Sequence, residues 1–294
     1  MKSLSLLFFA ILATVASGQI KVSSLHPLMG DLVNQVGGER VMVTNIGKPG
    51  FNVHTFAPTP KDLKAMGQSQ LVVASGKGIE RYLGAVQDAI GAVPILEVGR
   101  SIPSRTISGG ESLYVCCPEH SHGVVDPHWW HDVSNMERAV KVVEKQLSKM
   151  DPEGKSYYQA RSKTVRARYE KLDRWVKSQI AGIPKGQRKL VTAHAAFGYF
   201  CKAYNMTPVF VLGLSGDHEV PAKRLAEEVS KLREEQVRTA FPEMIHNPKV
   251  LAQVAKEAGV EMGGTLVADG AVASYEKMIR DNVSIIVEGL GNEG

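Results

Sequence analysis

The chain has 294 residues, 44% of them hydrophobic and 22% charged, which is enough for one large or two ordinary domains around a real core. The net charge of +5 comes from Lys and Arg spread along the chain without a run. That reads as a solvated mixed-charge surface and gives no footprint for a nucleic-acid partner. In chain order, Lys2, the apolar run Leu4 to Val15 and the small residues Ala16-Ser17-Gly18 predict a secretory signal peptide over residues 1–18. Such a run is too short for a spanning helix, and no later stretch is apolar enough to cross a bilayer. The mature start is expected near Gln19, and no Cys follows the cut to carry a lipid. A freely soluble protein of this kind is expected in a periplasm.

From Ile20 the pattern alternates short apolar runs with amphipathic stretches. Ile20–Ser24, Val41–Ile46, Leu71–Ser75 and Val93–Val98 predict buried parallel strands. Helices are predicted over Leu28–Val36, Pro60–Met66 and Ile79–Ile90, with Pro60 suited to a first turn. Arg100 to Pro127 is rich in Ser, Gly and Pro and reads as a long loop. A helix follows from an Asp132 cap to about Ser148, then a longer one from Asp151-Pro152 to about Ile180. Its Tyr158, Val165, Tyr169, Leu172 and Val176 recur at helical spacing, and thirty residues would reach about 45 Å.

After Gly182-Ile183-Pro184 the alternation resumes. Strands are expected at Leu190–Thr192, Val209–Leu212, Val237–Phe241 and Glu261–Val267, and helices at Ala196–Tyr204, Pro221–Glu234, Asn247–Ala258 and Ser274–Gly289. The fold class is therefore α/β: two parallel-sheet lobes joined by one long backbone helix. The expected organisation is a signal peptide (1–18), an N-terminal lobe (19–150), a linking helix (151–181) and a C-terminal lobe (182–294).

Nine histidines are present, and their places relative to strand ends carry the information. In open parallel sheets, ligands bind beyond the carboxyl ends of the strands. His54 follows the second strand in a Gly/Pro-rich loop, His194 comes two residues after Thr192, and Asp269 two after Val267. His128 closes the long loop. Each half contributes two candidates, which would put a metal site in the cleft between the lobes. Three neutral imidazoles and one carboxylate suit Zn²⁺, whereas Mn²⁺ prefers more oxygen.

Three segments carry a family resemblance: FNVHTFAPTPKDL from Phe51, DPHWWHD from Asp126 and VTAHAAFGYFCKAY from Val191. They resemble the ZnuA/TroA-like substrate-binding proteins that deliver zinc and manganese to ABC importers. The likeness extends over nearly all of the mature chain, including SGKGIERYL from Ser75. It implies that His54, His128 and His194 ligate the metal and that Asp269, in TLVADG, completes the site. It also implies a membrane permease with a cytoplasmic ATPase as partner, and a monomer that is not an enzyme. Zn²⁺ is the expected cargo, with Mn²⁺ second. The chain departs from the family at Ala57, where Glu is usual, and at Ala193 and Ala195, which flank the third histidine where Ser and Asp are usual. Orientation of His194 then calls for other partners. Glu219 is a candidate for such contacts, and His218 reads as a loop residue.

Other residues are read more plainly. His120 and His122, with Cys116 and Cys117, form either a polar surface loop or a second metal site. Cys116 and Cys117 either bridge each other or one pairs with Cys201, which itself reads as a buried helix residue. His131 is expected at the surface, and His26 and His246 as structural. Two other readings stand beside metal delivery. A secreted zinc hydrolase would need a base such as Glu219 or Glu243, but no His-Glu-x-x-His exists. A nucleotide or organic-ligand binder would use Gly76-x-Gly78, but Arg81 takes the third glycine's place.

Overall fold

The computed structural model describes residues 18–107, 124–211, 222–270, 272 and 274–291. The first half runs β1 (Ile20–Ser24), α1 (Pro27–Gly37), β2 (Val41–Asn45), α2 (Pro60–Gly67), β3 (Leu71–Ala74), α3 (Leu83–Ile90) and β4 (Ile95–Glu97). A short antiparallel pair follows, β5 (Thr106–Ile107) with β6 (Val124–Val125), so the expected loop has a pinned base. Then come α4 (Val133–Met150) and α5 (Lys155–Ala181). The second half runs β7 (Lys189–Thr192), α6 (Gly198–Tyr204), β8 (Thr207–Phe210), α7 (Ala222–Glu234), β9 (Thr239–Phe241), α8 (Lys249–Ala258), β10 (Glu261–Met262) and α9 (Tyr275–Gly291).

Each half forms a parallel four-stranded sheet, ordered β2-β1-β3-β4 and β8-β7-β9-β10. Numbered within its own half, each order is second-first-third-fourth. Both sheets therefore reverse direction beside their first strand, and that is where ligands gather in such sheets.

The α5 helix has 27 residues and spans about 40 Å. Its buried stripe, Tyr158, Ser162, Val165, Tyr169, Leu172, Val176 and Ile180, repeats every three or four positions. It packs on α1 and α4 from one half and on α6 and α9 from the other. The largest apolar core is continuous across it, from Ile20 and Leu28 to Ile286 and Leu290, so the halves share a core. The outer faces of the two sheets carry separate, smaller cores. Polar ties reinforce the shared one: Tyr275 donates its backbone N–H to Asp31 Oδ2 at 2.9 Å and its hydroxyl to Trp130 O at 2.8 Å.

Three elements differ from the sequence reading for local reasons. The β8 strand starts before Pro208, which is tolerated because β8 lies at a sheet edge. The expected Glu261–Val267 strand stops at Met262, because Gly263 must pass the Phe241 ring, where a Cβ would come within 2.7 Å. Pairing resumes as one parallel bridge, Glu243 to Leu266. The helix expected from Ile79 starts at Leu83, since Glu80 is turned back to cap the Ser75–Gly76 loop. Among the described residues, no helix is long and apolar enough to cross a membrane.

Candidate metal centre

Loops from both halves converge where the two sheets reverse. His54 sits in the turn after β2, with its backbone N–H held by Asn52 Oδ1 at 2.9 Å and its side chain only 5% exposed. His128 opens the turn ahead of α4, and Asp126 Oδ1 holds both its backbone N–H and its Nδ1 at 3.0 Å. Arg105 holds the other oxygen of that carboxylate at 3.1 Å. His194 follows β7, where Thr192 Oγ1 donates to its carbonyl at 2.9 Å. Asp269 ends the loop after the Leu266 bridge. That loop is pinned by Asn282 of α9, which bonds both the N–H and the carbonyl of Val267 at 2.8 Å.

The four side chains that the sequence singled out come together, with one donor atom from each lying within 4.8 Å of all the others. His54 Nε2 and His128 Nε2 are 3.3 Å apart. Asp269 Oδ1 lies 3.6, 3.5 and 3.5 Å from the Nε2 atoms of His54, His128 and His194. A tetrahedral shell with bonds of about 2.0–2.1 Å has donor-to-donor edges of about 3.3–3.4 Å, so these spacings fit a cation of that class. Buried polar atoms ordinarily have hydrogen-bond partners, yet His194 Nε2 and Asp269 Oδ1 have none. The donor set and its unpartnered atoms fit a divalent metal as cargo.

The orientation of His194, left open by Ala193 and Ala195, is supplied by Glu243 from just beyond the neighbouring strand β9. Glu243 Oε2 accepts the His194 backbone N–H at 2.9 Å, and Oε1 lies 2.7 Å from Nδ1. Burial alone would push the His194 imidazole down, but the carboxylates of Glu243 and Asp269 outweigh it and hold it well above the ordinary 6.5. Burial would raise Asp269, but the charge of His194 and the close approach of the His194, His246 and His54 imidazoles hold it well below the usual carboxylate range. His54 is pushed down by burial, despite Asp269 beside it. In the metal-free cluster these carboxylates favour the protonated form of His194, so an incoming cation competes with that proton.

His131 is not at the surface. Trp129, Trp130 and His131 form a tight 3₁₀ turn that drives all three side chains inward, to 0% exposure. His131 Nε2 lies 2.8 Å and Trp130 Nε1 3.0 Å from the carbonyl of Ala268, so the turn after His128 grips the loop that ends in Asp269. Burial pushes His131 down to about 3, which leaves it neutral with Nε2–H as the donor. His26 is buried as expected, capping α1 through Nδ1, which accepts from Leu28 N at 3.2 Å. His246 is more than a packing residue: its Nε2 lies 3.0 Å from Asp269 Oδ2. Cys201 is buried in α6 as read. Cys116, Cys117, His120, His122, His218 and Glu219 lie outside the described residues.

The Gly76-x-Gly78 loop does not present its amides to a phosphate. Gly76, Lys77 and Gly78 all take positive φ (80°, 58° and 79°), and the N–H groups of Ser75 and Gly76 point at Glu80 of the same loop, 2.6 and 2.9 Å away. An internal carboxylate, fully buried and pushed up to about 7 by that burial, takes the place an anion would need.

Two parallel sheets bridged by a shared helix, with a three-histidine, one-carboxylate cluster between them, define a two-lobed binding protein suited to a divalent cation. Residues 22–289 match the family model described as zinc-uptake complex component A, periplasmic, and the chain belongs to that family. It is 27% identical over 277 residues to the manganese-binding lipoprotein MntA of Halalkalibacterium halodurans, covering 92% of this chain and 88% of that one. It is 26% identical over 279 residues to the iron-binding protein YfeA of Yersinia pestis, covering 93% and 87%. Among solved structures, the periplasmic zinc-binding protein TroA of Treponema pallidum superposes with a TM-score of 0.82 at 25% identity, over 94% of this chain and all of that one.

Proposed function

We propose that this protein captures one divalent transition-metal cation outside the cytoplasm and delivers it to an ABC importer, with Zn²⁺ as the preferred cargo. His54, His128, His194 and Asp269 are the ligands. The observation that carries this reading is the convergence of four donor atoms within 4.8 Å of one another, with Asp269 Oδ1 3.5–3.6 Å from all three imidazoles and two of the four atoms buried outside any hydrogen-bond geometry. Residues 1–18 act as a secretion signal, and the mature monomer comprises lobes 19–150 and 182–294 with the helix between them. A membrane permease with a cytoplasmic ATPase receives the ion when docking shifts the lobes and distorts the shell. The shared core along α5 keeps that shift small.

The relatives' names span manganese, iron and zinc, so the choice of ion rests on the donor set. Three imidazoles and one carboxylate are nitrogen-rich, which favours Zn²⁺ over the oxygen-seeking Mn²⁺. A hydrolytic role gains nothing from Glu243. Its carboxylate faces Nδ1 of His194, across the ring from the metal-side Nε2, and so cannot reach a metal-bound water.

The test is calorimetric titration of chelator-stripped mature protein with Zn²⁺, and separately with Mn²⁺, at neutral pH. One tight Zn²⁺ site with weaker Mn²⁺ is expected. Tight Mn²⁺ with poor Zn²⁺ would keep the transport role and overturn the cargo. Binding of neither ion would overturn the reading.

A further inference from the structure

The segment after β9, Pro242-Glu243-Met244-Ile245-His246, serves both ligands contributed by the second half. Glu243 grips His194 at the start of this five-residue turn. The backbone then folds back, with His246 N–H on Glu243 O at 3.3 Å. Ile245 takes φ 72°, a left-handed conformation that a β-branched residue rarely adopts. Strain of this kind persists only where its surroundings enforce it, and it concentrates at functional sites. Its result is the position of His246. The imidazole is 3% exposed, lies against the His194 ring with centroids 4.4 Å apart, and directs Nε2 at Asp269 Oδ2, 3.0 Å away. The parallel bridge from Glu243 to Leu266 fixes this turn beside the Asp269 loop.

The two oxygens of Asp269 therefore have different tasks. A carboxylate accepts, so His246 must hold the tautomer with hydrogen on Nε2 and donate it. That commits Oδ2, while Oδ1 alone faces the three histidine nitrogens. A carboxylate so held binds a cation through one oxygen, and the shell closes at four donors. Without the donor, the same carboxylate is able to turn and chelate through both oxygens, giving five donors, two of them oxygen.

We propose that His246 is a positioning residue that sets cation preference: by occupying Asp269 Oδ2 it keeps the shell four-coordinate, favouring Zn²⁺ over ions such as Mn²⁺ that take more, oxygen-rich ligands. This rests on the metal-capture reading above. Removing an outer partner of a ligand typically costs 10–100-fold in metal affinity. Here the loss falls on Zn²⁺, and Mn²⁺ binding is little changed or improved.

The experiment titrates chelator-stripped wild-type, His246→Ala, His246→Phe and His246→Gln proteins with Zn²⁺ and Mn²⁺, and records the visible spectrum of each loaded with Co²⁺. Four-coordinate Co²⁺ absorbs far more strongly than five- or six-coordinate Co²⁺, so the spectrum reads coordination number directly. His246→Ala is expected to lower the Zn²⁺-to-Mn²⁺ affinity ratio at least about tenfold and to weaken the Co²⁺ bands. His246→Phe keeps a ring against His194 without the donor and should behave alike, standing in for the alanine variant if that one does not fold. His246→Gln restores a donor and should recover both readouts. Folded variants lacking the donor that keep the wild-type ratio and spectrum overturn this inference while leaving metal capture intact. A wild-type protein that binds none of the three ions overturns metal capture itself, and this inference with it.

Discussion

The two halves repeat one topology, yet they use the same position for different ends. In the first, β1 ends at Ser24, whose Oγ donates to His26 O at 2.8 Å; in the second, β7 ends at Thr192, whose Oγ1 donates to His194 O at 2.9 Å. A hydroxyl residue closes each strand, and a histidine follows two residues later. After His26 the helix starts at once with Pro27, so Nδ1 is taken as the cap of α1. After His194 the helix waits until Gly198, and Glu243 engages Nδ1 instead, turning Nε2 toward the cluster. What the second ring nitrogen holds decides whether a histidine at a strand end serves the fold or the chemistry.

The sharpest way to break this comparison is to truncate both histidines. His194→Ala removes one of four donors and is expected to weaken Zn²⁺ binding by about 100–1,000-fold, a quarter or so of the free energy typical of such shells. His26→Ala should stay within a few-fold of wild type. Competition against a chelator of known affinity measures both, and equal losses would end the distinction.

Glu243→Gln tests the second half of the argument. Zn²⁺ affinity should fall about 10–100-fold. The pH dependence should move as well. In the metal-free protein, the raised His194 value contributes stability that is full below pH 6.5 and is lost as pH rises through the raised value. Asp269 is the reverse: its depressed value contributes stability above pH 3.8 that is lost as pH falls through the depressed value. Metal competes with the His194 proton, so affinity in wild type rises with pH through and beyond 6.5. In the Glu243→Gln variant the rise should shift to lower pH, and fewer protons should be released at neutral pH. Calorimetry in buffers of different ionisation enthalpy reports both.

Gly270→Ala probes where the halves touch. Gly270 has φ 66°, and a Cβ there would collide with His26 Cε1. Backbone strain and crowding should cost about 1–3 kcal/mol, read as a lower Tm, and should also displace Asp269 enough to weaken metal binding. The smallest effect expected is that of His26→Ala on stability, about 1 kcal/mol for a lost helix cap, seen in denaturant unfolding.

The sequence made much of this legible because the informative signals were local. Gly- and Pro-bounded apolar runs mark both sheets, the Asp132 cap starts α4 one residue on, and the three motifs bring His54, His128 and His194 to notice. What stayed hidden depends on distant packing. His131 is carried inward because Trp129–His131 winds as a 3₁₀ turn, and a helical spacing argument cannot anticipate that. Glu243 reaches His194 across 49 positions through adjacent strands, and His246 reaches Asp269 across 23. Their signal was an acid and a histidine three residues apart just beyond a strand end, the same placement rule that flagged His194. The Gly263-Gly264 pair was the visible warning that the last strand would break.

The inward turn at Trp129 and Trp130 also gives the molecule a built-in optical probe. Trp130 lies with its ring 5.4 Å from that of His128 and its Nε1 on the Ala268 carbonyl, and Trp129 Nε1 bonds Ser75 Oγ at 3.0 Å. The third tryptophan, Trp175, lies on α5 beneath Arg280 with the guanidinium 4.8 Å above its ring. One indole thus borders the cluster, a second packs beside it with ring centroids 6.3 Å apart, and the third belongs to the connecting helix. Intrinsic fluorescence should therefore register cargo without any label: a closed-shell ion changes emission only through rearrangement of the loops, and a paramagnetic one quenches it directly. Trp175→Phe would strip out the background from the connecting helix and leave a protein whose glow reports occupancy alone.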